Sequence, residues 1–147
     1  MKKLLFILLT PNLLFAQSFV PNAPELDLKS YILIEPNTNT VIAEFNSNDL
    51  IEPASMTKVM TWYVVADQIK NDLISLDDQV LISEKAWKMI GSRMFIEVGK
   101  KVQIKDLIQG VIVQSGNDAS VALAEHIAGG EEFFVTMLNK MAKDMGG

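Results

Sequence analysis

The sequence contains no cysteine and only one histidine among its 147 residues. Without cysteine the chain has no disulfide framework, so a folded core must be held together by packing alone. A zinc site that uses several histidine or cysteine ligands is excluded as well, because the chain has one histidine and no cysteine. The absence of cysteine also excludes a lipid-modified cysteine behind an export signal.

The chain also lacks a strong charge bias. Thirteen lysine and arginine residues are outnumbered by 18 aspartate and glutamate residues, which leaves a formal net charge of -5. No stretch of the sequence forms a basic block. Together these features argue against nucleic acid as a partner.

The N-terminal region has no apolar run of the roughly 20 residues that a membrane-spanning helix requires. Two lysines precede an apolar stretch that Pro11 interrupts and that ends at the small residue Ala16. This order predicts a secretory signal over residues 1–16, with cleavage after Ala16. Residues 17–147 are enough for one modest domain. We therefore expect an exported enzyme or binding module.

Two short apolar and β-branched runs predict a hairpin near the start of this domain. Tyr31–Glu35 and Thr40–Phe45 are separated by the turn-forming residues Pro36–Asn39. The first structured element is therefore expected to be antiparallel.

Helical periodicity appears in four later segments, whereas the stretch between Leu73 and Val102 indicates no clear element. Two of these helices are predicted over Asp118–Ala128, which is rich in small residues, and over Glu131–Met145. A further helix faces the core through Ile104, Leu107, Ile108, Val111 and Ile112. The first helix starts near Ser55, and we expect it to bury a stripe made of Met56, Val59, Met60, Tyr63 and Val64.

Ser55 and Lys58 stand three residues apart at the start of this first helix, so both side chains project from one face. A serine nucleophile needs this arrangement when its base is a lysine. Free N–H groups at a helix N-terminus can stabilise an oxyanion, and the Ser55 amide is the natural donor. A protonated lysine cannot accept a proton, and a lysine exposed to water is almost always protonated at neutral pH. Burial disfavours the charged form, so this hypothesis requires Lys58 to be enclosed. The alternative is a surface serine with an unrelated lysine.

Ser115 and Asn117 lie in a short segment between two predicted helices, where both side chains can point into a cleft. The hydroxyl of Ser115 can pass a proton from an amine to a leaving nitrogen, and the amide of Asn117 can bind a substrate carbonyl and a lysine. The alternative is an ordinary helix boundary made of loop-forming residues.

A serine, two residues and a lysine, followed about sixty residues later by Ser-x-Asn, resemble the signature of penicillin-binding proteins and serine β-lactamases. The segments Glu52–Thr61, Gly91–Gly99 and Asp106–His126 are similar to those of the low-molecular-mass, penicillin-sensitive D-alanyl-D-alanine carboxypeptidases. The likeness covers nearly all of residues 31–145. One departure is large, because the family's third motif, Lys-Thr-Gly, has no match in this sequence.

The resemblance implies an α/β fold of the β-lactamase and penicillin-binding transpeptidase type. In that fold an antiparallel sheet is flanked by helices, and this chain would stop before the third-motif strand. Residues 17–147 would form the N-terminal part of a serine DD-peptidase catalytic domain. Carried over, Ser55 is the acylated nucleophile, Lys58 the proton acceptor, Ser115 a second catalytic hydroxyl and Asn117 a substrate-binding residue. His126 could by itself suggest the base of a Ser-His-Asp triad, but the resemblance assigns it no catalytic role.

The substrate that the resemblance implies is a peptidoglycan stem peptide ending in D-alanyl-D-alanine, with β-lactams as covalent inhibitors. No metal or cofactor is required. Such a protein would cross the inner membrane, act in the periplasm or at the cell envelope in cell-wall synthesis and cell shape, and associate with the membrane through a C-terminal region. The 147-residue chain alone is expected to be inactive, because the third-motif strand supplies a second oxyanion donor.

Three alternatives stay open on the sequence. A D-alanyl-D-alanine endopeptidase shares both motifs. A class A β-lactamase shares the serine–lysine pair but usually has aspartate at the position of Gly116. From another class, the chain could be a peptidoglycan-binding relic that has lost its chemistry with the third motif.

Overall fold

The computed structural model describes residues 23–146. The chain divides at the boundary between Ile51 and Glu52 into two compact units. The predicted signal over residues 1–16 lies outside the described residues. No helix within the described part is long and apolar enough to cross a membrane.

The first unit contains the predicted hairpin. Strands β1 (Tyr31–Glu35) and β2 (Thr40–Phe45) pair antiparallel, with bounds that match the prediction. Tyr31 lies opposite Phe45, and their rings stack with centroids 6.1 Å apart. A cross-strand aromatic pair of this kind helps to hold the register of a hairpin.

The turn between the two strands is organised by the carboxylate of Glu35. It accepts hydrogen bonds from the hydroxyl and the backbone N–H of Thr38, both at 2.7 Å, and from the side-chain amide of Asn37 at 2.8 Å. These bonds, those from Thr38 above all, lower the pKa of Glu35 from 4.5 to about 2. Because every partner lies within three residues of Glu35, the turn can form without distant contacts.

The second unit contains all four helices that the periodicity predicted, together with a 3-10 turn before the first of them and three short elements that the periodicity did not predict. Its two strands pair antiparallel, with Val80 opposite Val102. The bounds are a 3-10 turn over Ala54–Met56, α1 Thr57–Lys70, β3 Gln79–Leu81, α2 Glu84–Trp87, β4 Lys101–Gln103, α3 Ile104–Gln114, α4 Asn117–Ala128 and α5 Glu131–Asp144.

The elements between Leu73 and Val102 escaped prediction because they are short. Strands β3 and β4 have three residues each and α2 has four, so none repeats a periodic pattern. Helix α2 depends on its cap, since the Ser83 hydroxyl accepts a hydrogen bond from the Ala86 N–H at 2.9 Å. Whether such a short helix or strand forms depends on the residues that it contacts more than on its own amino-acid composition.

The core of the second unit forms mainly where α3 packs against α4. Small residues on α4 allow this close approach. Gly110 on α3 allows the Met94 side chain to approach, because a Cβ at Gly110 would collide with it. The largest fully buried apolar side chains of this unit are Ile82, Ile104, Leu107, Leu123, Val64 and Val65.

The predicted buried stripe of α1 is wrong at three of its five positions. Met56 and Val59 are 68% and 69% exposed, and Tyr63 is also exposed, whereas Val64 is buried. Neighbouring helices cover α1 on a face centred on Val64 and Val65. Helical spacing locates an apolar face, but which part of it is covered depends on elements far away in sequence.

Candidate active site

Ser55 lies in the 3-10 turn that leads into α1. Ala54, directly before it, has a left-handed φ of 48°, and the Met56 N–H closes the turn on the Pro53 carbonyl at 3.1 Å. A left-handed conformation is uncommon for residues with a Cβ, and such strain clusters at functional sites. The turn leaves Ser55 exposed at the helix start.

The Lys58 amine lies between the two sequence motifs. Its Nζ is 3.4 Å from Ser55 Oγ and 2.7 Å from Asn117 Oδ1. Lys58 is partly buried. The serine–lysine pair predicted from spacing is therefore present, and a residue 59 positions later completes its contacts.

The side-chain amide of Asn117 has a defined orientation. Its Nδ2 donates to the Ile90 carbonyl at 2.7 Å, and its backbone N–H donates to the Ser92 carbonyl at 2.8 Å. A carbonyl oxygen accepts hydrogen bonds and cannot donate them, so the NH₂ end of the amide must face Ile90. The oxygen end is then directed to Lys58.

Ser55, Lys58 and Ser115 line one pocket of about 280 Å³. Ser115 ends α3 with a left-handed φ of 52°, which turns the chain into α4. The remaining wall of the pocket is apolar and is formed by Val59, Trp62, Val111 and Ile112. The structure thus brings together all four residues that the sequence selected, three at this pocket and Asn117 through Lys58.

Two details of the pocket wall bear on the sequence predictions. Ile112 was expected in the core but is 61% exposed, because it lies on the pocket side of α3. Trp62 forms part of the cleft wall. His126 is exposed in the last turn of α4 and does not line this pocket.

The sequence did not reveal what holds Asn117. The Ile90 and Ser92 carbonyls belong to the backbone, which carries no residue-type signature, and their segment lies in the region without periodicity. Gly91 between them has a φ of 83°, and a Cβ there would lie 2.9 Å from Asn117 Nδ2. Gly91 was therefore the one sign in the sequence that the backbone comes close to another group here.

The acidic residues of the described chain are not arranged as a metal site. Between residues 23 and 146, no group of three or more His, Asp or Glu side chains is placed to hold a metal ion. Asp118, which the sequence assigned to a helix start, is indeed in the first turn of α4 and is buried.

Comparison with known proteins defines the class of protein to which this fold and site belong. The family model described as D-alanyl-D-alanine carboxypeptidase matches residues 17–146. The chain therefore belongs to the D-alanyl-D-alanine carboxypeptidase family, within the low-molecular-mass penicillin-binding proteins. The family predicted from the motifs is confirmed.

Particular relatives sharpen this assignment. The chain is 40% identical to the D-alanyl-D-alanine carboxypeptidase DacC of Escherichia coli, covering 96% of this chain and 37% of the relative. It is 44% identical to DacF of Bacillus subtilis, covering 82% of this chain and 31% of the relative. The chain thus spans about a third of the length of these curated relatives.

A solved structure confirms the predicted fold class. Penicillin binding protein 5 from Haemophilus influenzae aligns with a TM-score of 0.76 at 40% identity, covering 86% of this chain and 38% of that protein. The D-alanyl-D-alanine endopeptidase of E. coli is also related, but at 30% identity over 89% of this chain and 41% of its own length. The higher identities favour the carboxypeptidases over this alternative.

Proposed function

We propose that the protein is a serine-type D-alanyl-D-alanine carboxypeptidase, which removes the terminal D-alanine of peptidoglycan stem peptides through an acyl-enzyme on Ser55. The observation that carries the proposal is the Lys58 amine, 3.4 Å from Ser55 Oγ and 2.7 Å from Asn117 Oδ1. The names of the relatives support the same reaction class.

In the first step Ser55 transfers its hydroxyl proton to the Lys58 amine, while Oγ bonds to the carbonyl carbon of the penultimate D-alanine. One N–H of the amine remains donated to Asn117 Oδ1, which leaves the lone pair free for the Ser55 proton. The carbonyl oxygen becomes an oxyanion and accepts a hydrogen bond from the Ser55 N–H. We expect the contact of 3.4 Å between Lys58 Nζ and Ser55 Oγ to shorten when substrate binds, as is common for catalytic hydrogen bonds.

In the second step the bond between the carbonyl carbon and the D-alanine nitrogen breaks. The proton on Lys58 passes through the Ser115 hydroxyl to that nitrogen, and D-alanine leaves as the amine. Ser115 suits this role because it lines the same pocket as Ser55 and Lys58. A water molecule then gives a proton to Lys58, attacks the ester and releases the shortened peptide, and the Lys58 proton returns to Ser55 Oγ.

The nucleophile is tested with labelled benzylpenicillin on the full-length protein that carries this segment. The parent should be labelled covalently, and Ser55→Ala should not be labelled, because the β-lactam amide has lost its attacking oxygen. Ser120→Ala is the matched control, since its hydroxyl donates to the Gly116 carbonyl at 2.8 Å. Equal labelling of Ser55→Ala and the parent would show that the nucleophile is misassigned.

The reaction type is tested with three substrates. Release of D-alanine from diacetyl-L-lysyl-D-alanyl-D-alanine is expected for the carboxypeptidase. Preferential cleavage of cross-linked stem peptides would favour the endopeptidase, and rapid multiple turnover of a β-lactam would favour the β-lactamase. A protein that binds peptidoglycan without labelling or cleavage would be the non-catalytic relic.

We also propose that the protein acts in the periplasm or at the cell envelope, with membrane association through a C-terminal region. The order of charged, apolar and small residues in positions 1–16 supports export. N-terminal sequencing of the mature protein from a periplasmic fraction should begin at Gln17. A mature protein that begins at Met1 in the cytoplasmic fraction would contradict export.

A further inference from the structure

The Asp118 carboxylate is buried beside the candidate site, although the proposed reaction does not use it. The residue is 1% exposed. Its Oδ1 accepts backbone N–H bonds from Met94 at 3.0 Å and Ala119 at 2.8 Å, and its Oδ2 accepts them from Phe95 at 2.9 Å and Ile96 at 3.3 Å. A carboxylate is costly to bury unless its oxygens are hydrogen-bonded, and these four donors meet that need.

Three of the four donors belong to one irregular segment, Ile90–Ile96, which we call the 90–96 loop. The other end of the same loop holds Asn117, through the Ile90 carbonyl at 2.7 Å and the Ser92 carbonyl at 2.8 Å. The loop is therefore tied to the first turn of α4 at both ends. Asp118 anchors one end, and Asn117 is held by the other.

The conformation of the 90–96 loop requires such an anchor. Phe95 has a left-handed φ of 63°, which is unfavourable for a residue with a Cβ. The Asp118 bonds to Phe95 and to its two neighbours hold the chain at this point. These bonds therefore stabilise this path of the loop at Phe95.

We propose that Asp118 is a positioning residue that acts on Lys58 through Asn117. By anchoring the 90–96 loop it keeps the Ile90 carbonyl where only the NH₂ end of the Asn117 amide can meet it, and so directs Oδ1 to the amine. If the amide were rotated, its NH₂ group would face the Lys58 amine. Both groups are hydrogen-bond donors, so the bond between them would be lost. The inference rests on the proposed function in so far as its effect on rate requires Lys58 to be the proton acceptor.

The orientation of Asn117 is measured first, by ¹⁵N NMR of asparagine side-chain amides in the full-length protein. The Asn117 signal is assigned from its loss in Asn117→Ala. Asp118→Asn replaces one acceptor oxygen by a donor that faces two N–H groups, so the Asn117 signal should shift and its solvent exchange should rise. Asp78→Asn is the matched control, because the Asp78 carboxylate also accepts a backbone N–H, from Ser75 at 2.8 Å, but has no link to Asn117.

Gly91→Ala disturbs the same link while Asp118 stays in place. Its Cβ would lie 2.9 Å from Asn117 Nδ2, in a residue whose φ is 83°. The Asn117 signal should shift in this variant as well. Gly91→Ala therefore tests the step from the loop to Asn117 on its own, and Asp118→Asn tests the step from Asp118 to the loop.

The effect on chemistry is measured by a double-mutant cycle on the rate of acylation by benzylpenicillin. Asp118→Asn or Gly91→Ala should slow acylation by about 10²-fold, the scale expected when a catalytic group is misplaced by about 1 Å. In the Asn117→Ala background the same substitutions should change the rate by less than about twofold, because a residue that acts through Asn117 has nothing left to position.

Equal rate losses in both backgrounds would overturn the inference, since they would show that Asp118 acts on the fold and not through Asn117. An Asn117 signal that moves in neither variant would overturn it as well. A parent protein that is not acylated would instead overturn the proposed function, and the amide signals would still decide whether Asp118 sets the orientation of Asn117.

Discussion

The two sides of the candidate site are held in different ways. On the α1 side, Ser55 is exposed and its hydroxyl is 3.4 Å from Lys58. On the α4 side, Asn117 makes three hydrogen bonds of 2.7 to 2.8 Å, and Asp118 next to it is buried. Lys58 belongs to the first side by sequence and is bound most tightly to the second.

This difference separates the part of the site that a substrate can reach from the part that orients the Lys58 amine. The atoms that must meet a substrate lie on the accessible side, whereas the atoms that orient the amine lie on the rigid one. A catalytic group is effective when the residues behind it lock its geometry, and here those residues belong to α4 and the 90–96 loop. The predictions below would break or sharpen this contrast.

The largest effect is expected from removing the amine that joins the two sides. Lys58→Met should slow acylation by benzylpenicillin by about 10²- to 10⁴-fold, the usual contribution of a general base. Lys58→Arg should lose as much, because a guanidinium keeps its proton at neutral pH. An arginine variant that retained the parent rate would show that the position needs positive charge and not a proton acceptor.

The next effect compares two valines of α1. Val65→Ala should lower the free energy of unfolding of this chain by about 2 kcal/mol, because two buried methyl groups are lost and a cavity remains. Val59→Ala, its matched control, should change it by less than about 0.5 kcal/mol, because Val59 is exposed. Urea unfolding measures both. Equal losses would show that the exposed face of α1 is covered in solution.

A smaller effect is expected at Gly110, where α3 contacts Met94 of the 90–96 loop. Helix propensity alone would make Gly110→Ala stabilising by about 1 kcal/mol. The collision with Met94 should cost about 1 to 3 kcal/mol, so we expect a net loss of about 1 kcal/mol in thermal or urea unfolding. Met94→Ala combined with Gly110→Ala makes room for the new methyl group and should recover part of the loss. A stabilised single variant would mean that Met94 adjusts freely.

The smallest effect concerns a carboxylate that is hydrogen-bonded but exposed, in contrast to Asp118. Because the pKa of Glu35 is lowered to about 2, its turn is stabilised above pH 4.5 and loses this contribution as the pH falls towards 2. An NMR titration of the Glu35 carboxyl carbon should show this low pKa. Thr38→Val should raise it only part of the way to 4.5, because the backbone bond remains, and Thr38→Ser should keep it low. An unchanged value in Thr38→Val would rule out the hydroxyl as the main cause.

Features with partners nearby in sequence could be predicted well. The hairpin bounds, the four helices and the pairing of Ser55 with Lys58 depend on spacings of a few residues. The position of Ser115 and Asn117 between two predicted helices made them candidates, but only the resemblance joined them to Ser55. The stripe of α1 and the position of Ile112 were wrong because burial depends on packing partners, which periodicity does not specify.

By itself the sequence determined the family, the order of the helices and the four residues of the candidate site, since motifs and helical periodicity can be recognised without knowledge of tertiary contacts. Only the tertiary structure decided how the amine is held. The Ile90 and Ser92 carbonyls and the Asp118 anchor reach their partners across 22 to 27 residues. Their contacts run largely through backbone groups, which every residue carries, so the amino-acid types around them did not reveal the link.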